Sequence, residues 1–153
     1  LVNVIGPIMT SDQAAWKQTI YYPFAYTSRY GRGIVLQTVI ESPVYSIGEL
    51  DEAQILDAVC VMNDDESLTL FAVNKDLNED LTLTCGLPSE NYTVLEHITL
   101  NHADLKAANT EADPDALTPW ATDSSSVKNG VLTTVLGRHS WNMIRLGKNG
   151  SAE

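Results

Sequence analysis

The chain is poor in cysteine and in basic side chains. Cys60 and Cys85 are its two cysteines among 153 residues, too few to form the disulfide framework that staples small secreted domains. Each falls in a stretch that reads as a strand, where a small buried hydrophobe is the expected role in preference to a disulfide. Nine Lys and Arg stand against twenty Asp and Glu, a formal net charge of −11. That balance repels phosphate backbones and anionic lipid headgroups, and so argues against a nucleic-acid or membrane-surface role. No apolar run approaches the ~18–20 residues of a membrane span. The first residues lack the basic flank of a signal peptide, and Leu1 occupies the place of an initiator Met, as expected of a cropped or processed start. The acidic surface and reduced cysteines point to the cytoplasm. Asn91-Tyr92-Thr93 and Asn149-Gly150-Ser151 match the N-glycosylation pattern, which matters only in a secreted protein.

Chemistry-bearing motifs are scarce as well. His97, His102 and His139 show no metal-ligand spacing with the cysteines, and there is neither a phosphate loop nor a dinucleotide fingerprint, so no metal or other cofactor is expected. The adjacent His139 and Ser140 point to opposite faces of a strand and cannot act as base and nucleophile. The length suits one ordinary domain; a complete barrel of eight βα units needs about 250 residues and does not fit.

What the sequence does contain is an aromatic concentration near its start. Trp16, Tyr21, Tyr22 and Phe24 fall within nine positions, four of the eleven aromatic residues. Such a cluster needs cover from more protein or a role in contacting a ligand such as a sugar. Before it, Leu1–Met9 is a nearly continuous apolar run around Gly6-Pro7, the pattern of a strand buried on both faces; an edge strand of the following domain is the other reading. Thr10–Ala15 reads as a polar loop. The stretch from Trp16 to Tyr30 is helical in its second half, starting near Tyr21 or Tyr22 because Pro23 is tolerated only in a first turn. Gly31-Arg32-Gly33 stops it and offers a glycine for a left-handed cap.

From Ile34 the period changes to two. Strands are expected over Ile34–Glu41, Val44–Ile47, Ile55–Asn63, Ser67–Asn74, Asp80–Leu87, Tyr92–Leu100, Ser125–Lys128, Val131–Leu136 and Ser140–Leu146. Gly48–Gln54 reads as an acidic connector, and Asn129-Gly130 as a two-residue hairpin turn. In Tyr92–Leu100 the alternation puts Glu96 on one face with Tyr92, Val94, Ile98 and Leu100. A carboxylate buried there requires a partner, and Arg145 is the candidate. The interval His102–Ser126 is irregular, with a short helix expected at Asp104–Ala108 and with Trp120 expected to cap the domain in preference to lining a groove. Gly147–Glu153 reads as a frayed tail. Together these elements predict a mainly β fold, two packed antiparallel sheets in a jelly-roll-like sandwich.

Five blocks in order carry a family resemblance: Leu1–Thr10; Trp16–Phe24 with Ser28–Gly33; Leu68–Asn74; Glu96-His97-Ile98 with Asp104–Ala107; and Ser140–Leu146. The chain resembles the C-terminal third of glycoside hydrolase family 51 α-L-arabinofuranosidases. The resemblance implies three segments: 1–33 as the last strand, loop and helix of a catalytic (β/α)8 barrel, 34–147 as the C-terminal β-sandwich, and 148–153 as a tail. It implies that the chain is a fragment of an enzyme releasing terminal arabinofuranosyl residues from arabinoxylan or arabinan oligosaccharides by a retaining mechanism, which needs two carboxyl groups about 5 Å apart. Both would be glutamates upstream of Leu1, and Glu41, Glu49, Glu52, Glu66, Glu79, Glu90, Glu96 and Glu111 match neither. The fragment is therefore expected to be inactive alone, with no catalytic residue of its own.

By the same resemblance Gln18 is the sugar-contacting glutamine of the family's Trp-Arg-Gln-Thr block, with Lys17 where the family usually has Arg. Trp16 would stack on a sugar or pack loop against barrel. The implied partners are the upstream barrel, the oligosaccharide substrate and, for the parent, further copies of itself. Two rival readings stand beside this one: a free-standing carbohydrate-binding module, although Tyr26, Tyr45, Tyr92, Trp120 and Trp141 are scattered and form no single row, and a structural or oligomerisation domain, suggested by the apolar run at the start.

Overall fold

A computed structural model of the protein describes residues 6–48 and 50–149. Among the described residues, thirteen strands and one helix are arranged as a large and a small antiparallel sheet facing each other, with two separate hairpins. The large sheet has six strands in the order β10 (Trp120–Ala121), β9 (Tyr92–Leu100), β13 (Ser140–Lys148), β7 (Leu68–Asn74), β6 (Leu56–Met62) and β3 (Ile34–Leu36). The small sheet has three, β11 (Ser126–Lys128), β12 (Val131–Leu136) and β8 (Leu81–Gly86). Between them lies the main core, in which Leu56, Leu68, Leu70, Ala72, Ile144 and Leu146 of the large sheet pack with Leu132 and Leu136 of the small one. The alternation read from the sequence is what builds this core. In β8, Leu81, Leu83 and Cys85 turn inward and Thr82 and Thr84 outward, and β12 alternates in the same way. Asn129 and Gly130, both at positive φ (49° and 73°), make the tight turn between β11 and β12.

The other face of the large sheet receives the helix α1 (Tyr21–Tyr30), with Pro23 in its first turn as expected. Tyr22 packs with Leu100 and Leu117, and the Tyr26 ring lies 5.9 Å from that of Trp141. Ahead of the helix, β1 (Ile8–Thr10) and β2 (Ala15–Lys17) form a two-stranded antiparallel hairpin. Thus the polar stretch expected as a loop from Thr10 to Ala15 is the hairpin's turn with its flanking pair. Residues 1–5 of the expected Leu1–Met9 strand lie outside the described residues, and Ile8 is 49% exposed.

Several expectations are corrected. The helix does not end on a left-handed glycine: Gly31 has φ −91° and simply donates its N–H to the Thr27 carbonyl at 2.8 Å. The special position is Gly33, at φ 145°, where a Cβ would collide with the Met62 carbonyl oxygen as the chain enters β3. β3 itself stops at Leu36, and the remainder of Ile34–Glu41 runs irregularly along an opening of about 430 Å³ between the two sheets. The acidic stretch Gly48–Gln54 is no connector, since Leu50–Gln54 (β5) pairs antiparallel with Val44–Ile47 (β4). The acidic composition hid that strand, in which Glu52 is exposed and pairs with Ser46. At Asp104–Ala108 the chain forms turns and no helix: the Asp104 N–H donates to His102 Nδ1 at 3.0 Å, and the Lys106 N–H to Asp104 Oδ1 at 2.9 Å. These local side-chain bonds compete with helical ones. The C-terminal strand continues through Lys148, where Gly147 and Lys148 pair with Thr93 and Tyr92, so the tail expected from Gly147 is ordered strand as far as that pairing reaches.

The expected single face of Tyr92–Leu100 is also divided. The register of β9 against β13 slips beside Leu95, which leaves Val94 opposite Leu146 and Glu96 opposite Arg145. Tyr92 and Val94 therefore face the main core, whereas Leu100 joins the cluster under α1. A bulge inverts the alternation that a regular strand would keep. It also turns His97 and Thr99 into the space between the sheets, both nearly fully buried.

Candidate functional site

Gln18 sits where the β1–β2 hairpin hands over to α1. Its backbone N–H donates to the Pro7 carbonyl at 2.9 Å, and its carbonyl accepts the Tyr21 N–H at 2.9 Å. Its side-chain Nε2 donates to the Asn109 carbonyl at 3.2 Å. Among the described residues the Gln18 amide makes no other hydrogen bond, so one N–H and the amide oxygen are available to a ligand.

Asn109 is the pin of this region. It is 1% exposed, and its Nδ2 donates to the carbonyls of Lys17 at 2.9 Å and Leu117 at 3.0 Å, while its Oδ1 accepts the Leu117 N–H at 2.7 Å. A side-chain amide thus stands in for a strand pairing between the hairpin and the irregular segment 102–119. Ser11 supports the far end of the hairpin, its Oγ accepting the Ala14 N–H at 3.1 Å and donating to Glu111 Oε1 at 2.9 Å. Tyr22, beneath the same segment, has its phenol pushed up in pKa by burial first and then by the Asp115 carboxylate, with an Asn109 hydrogen bond acting in the opposite sense.

Trp16 pairs with Met9 across the hairpin and is half-buried, its indole N–H enclosed without a partner among the described residues. Lys17 lies beside it with Nζ 5.2 Å from the centre of the Tyr21 ring. Trp16 and Gln18 therefore share one short segment, with Lys17 between them stacked on the helix. Sequence reasoning did not find Asn109; an asparagine after two alanines in an irregular interval carries no signal of the three chain segments it joins.

The Glu96–Arg145 pair expected from the sequence is present, with Nη1 3.0 Å from Oε1. The guanidinium also lies over the Tyr30 ring, Cζ 4.2 Å from its centre, which ties the sheet to the end of α1. Glu66 pairs with Lys148 at 2.7 Å. Among the described residues no group of three or more His, Cys, Asp or Glu side chains could hold a metal ion, and no helix is long and apolar enough to cross a membrane. Cys60 and Cys85 are free thiols, and burial pushes Cys60 up to about 11. His97 lies within a polar cluster, with Nε2 3.1 Å from Asn142 Oδ1 and Nδ1 2.9 Å from Ser125 Oγ. Trp120 does not cap the sandwich as expected; on the edge strand β10 it is 51% exposed and lines a groove.

With this architecture in view, comparison with known proteins is decisive. The family description "Alpha-L-arabinofuranosidase C-terminal domain" matches residues 1–140. The chain belongs to that family. An intracellular exo-α-(1→5)-L-arabinofuranosidase of Halalkalibacterium halodurans is 47% identical over 151 residues, covering 97% of this chain and 30% of the relative. The enzyme of the same name from Acetivibrio thermocellus is 44% identical over 152 residues, with the same two coverages. Among solved structures, a family 51 α-L-arabinofuranosidase of Bifidobacterium longum superposes with a TM-score of 0.86 at 33% identity, over 95% of this chain and 29% of that one. The chain therefore spans about 30% of the length of the curated relatives it matches. The domain is the C-terminal, β-rich part of such enzymes, in which the catalytic barrel is the other part.

Proposed function

We propose that this domain completes an α-L-arabinofuranosidase of the cytoplasm. The parent removes terminal α-L-arabinofuranosyl residues from arabinan- or arabinoxylan-derived oligosaccharides, with (1→5) linkages the first to test because the relatives named above carry that specificity in their names. A retaining double displacement needs two closely spaced carboxyl groups, and in this reading both reside in the barrel. In this reading residues 1–33 continue that barrel and residues 34–148 form the sandwich, whose last strand runs through Lys148.

Gln18 is proposed to contact the sugar, with Trp16 beside it as a stacking or packing wall. The observation that carries this is the bond from Gln18 Nε2 to the Asn109 carbonyl, which fixes one N–H of the amide while its oxygen and second N–H stay uncommitted. An amide held in this way can donate to one hydroxyl and accept from another. Barrel contact is proposed for the α1 side of the sandwich, where Phe24 is 70% exposed and Val35 63% exposed; further copies of the parent are the remaining proposed partners. In the enzyme carrying this domain, Gln18→Ala should lower kcat/KM for p-nitrophenyl α-L-arabinofuranoside by about tenfold or more, the loss of one or two sugar hydrogen bonds. Unchanged turnover and Michaelis constant would remove Gln18 from the site.

A further inference from the structure

We propose that the groove beside Trp120 is a binding site for a neutral oligosaccharide, on the side of the large sheet opposite α1. The placement follows from register. Trp120 is the Cα partner of Thr99 across β10 and β9, and directly opposed residues project from the same face. Thr99 and its neighbour-but-one His97 face the gap between the sheets, whereas Leu100 and Trp141 face α1. A large aromatic ring that is 51% exposed thus stands at the mouth of the sandwich, away from the face covered by the helix.

The groove encloses about 430 Å³, within the range of small-molecule sites. Its lining suits hydroxyls. Asn101, Thr122 and Ser124 offer groups that both donate and accept, and Asp80 and Arg138 add one charge of each sign, so no net charge selects an ion. Among the described residues the Arg138 guanidinium has no ion-pair or hydrogen-bond partner; only its backbone N–H is used, donating to Asp80 Oδ1 at 2.9 Å. Gly137 leaves the room that admits the Asn101 amide, since a Cβ there would stand 3.1 Å from Asn101 Nδ2. The floor is rigid, because His97 is held between Asn142 and Ser125 at 3.1 and 2.9 Å. An exposed indole beside hydroxyl, amide and oppositely charged groups is the arrangement that binds a sugar ring, whose C–H face stacks while its hydroxyls bond at the edge. The ligand class does not depend on the enzymatic reading above.

The test is a titration of the 153-residue chain with arabinotriose, xylotriose and maltotriose, followed by the three tryptophan indole N–H resonances. Substitution of each tryptophan by Phe assigns them. At least one sugar should shift the Trp120 resonance with a Kd of order 1 mM. Trp120→Ala should abolish binding, and Arg138→Gln should weaken it by about tenfold, one hydrogen-bonding group's worth. Should Trp120→Ala fail to fold, Arg138→Gln and the unsubstituted chain still decide. No shift at Trp120 with any sugar up to about 20 mM, a limit twentyfold above the expected Kd, overturns the proposal. So do shifts confined to Trp16 or Trp141; a shift at Trp16 with arabinotriose alone would instead support the proposed substrate wall.

Discussion

Asn109 donates its side-chain amide to the carbonyl of Lys17 at 2.9 Å, across a separation of 92 residues. One buried side chain thereby sets the position of the segment that carries Trp16 and Gln18 relative to the rest of the domain. Asn109→Ala removes bonds to Lys17 and Leu117 and leaves a buried carbonyl and N–H unsatisfied. The expected cost is about 2–4 kcal/mol, measured by urea unfolding, with faster amide exchange at Leu117. Asn109→Asp should not restore it at neutral pH, because the carboxylate oxygen in place of Nδ2 cannot donate to the Lys17 and Leu117 carbonyls. An Asn109→Ala variant within 0.5 kcal/mol of the parent chain, the range of ordinary surface substitutions, would contradict the role given to it.

Gly33→Ala should be more damaging than Gly48→Ala. Both have positive φ, 145° and 58°, but a Cβ at Gly33 meets the Met62 carbonyl oxygen whereas one at Gly48 meets nothing within 4 Å. Roughly 3 kcal/mol or more is expected for the first, against about 1 kcal/mol for the second. Thermal unfolding of the two variants provides the comparison.

Burial lowers the pKa of His97 from its usual 6.5, opposed in part by its bond to Asn142. The unfolded chain therefore binds the proton at a higher pH than the folded one. Stability contributed by this site is complete above pH 6.5 and is lost as the pH falls from there through the lower folded value. Asp65 and Asp76 are shifted down from 3.8, chiefly by hydrogen bonds from Ser67 and from the Asn78 N–H respectively, so their losses come in a separate, more acidic window. Unfolding free energy should decline in the weakly acidic range, and His97→Gln should remove that slope whatever its effect on absolute stability.

Arg145 joins Glu96 at 3.0 Å and covers the Tyr30 ring, with the two charged side chains 21% and 31% exposed. A pair this open to solvent is worth about 1 kcal/mol or less in a double-mutant cycle of Glu96→Gln and Arg145→Met. The Tyr30 contact should add a comparable coupling, about 0.5–1 kcal/mol, in a second cycle of Arg145→Met with Tyr30→Leu. A first coupling above about 3 kcal/mol would mean that the pair behaves as fully buried.

Much of the sandwich was legible because its strands keep the period-two pattern and its turns carry Asn-Gly or Asp-rich signals. Leu81 to Cys85 and Val131 to Leu136 show it most clearly. The failures were local. The slip beside Leu95 exchanges the faces of β9, and no residue there advertises it. Leu50–Gln54 pairs as a strand in spite of its acids, and His102 and Asp104 hold turns where helical spacing suggested a helix. At the candidate site, Gln18 and Trp16 are proposed from the resemblance alone. Asn109 and the exposed groove at Trp120 depend on contacts between segments distant in sequence, which single-chain patterns do not encode.

The central claim, that this domain completes an arabinofuranosidase and does not act alone, is tested by exchange. The corresponding C-terminal stretch of the Halalkalibacterium halodurans relative, 47% identical, is replaced by this chain, and hydrolysis of p-nitrophenyl α-L-arabinofuranoside is measured for the chimera and for the chain by itself. The account predicts activity in the chimera and none in the isolated chain. Hydrolysis by the isolated chain, or a folded but inactive chimera, would contradict it.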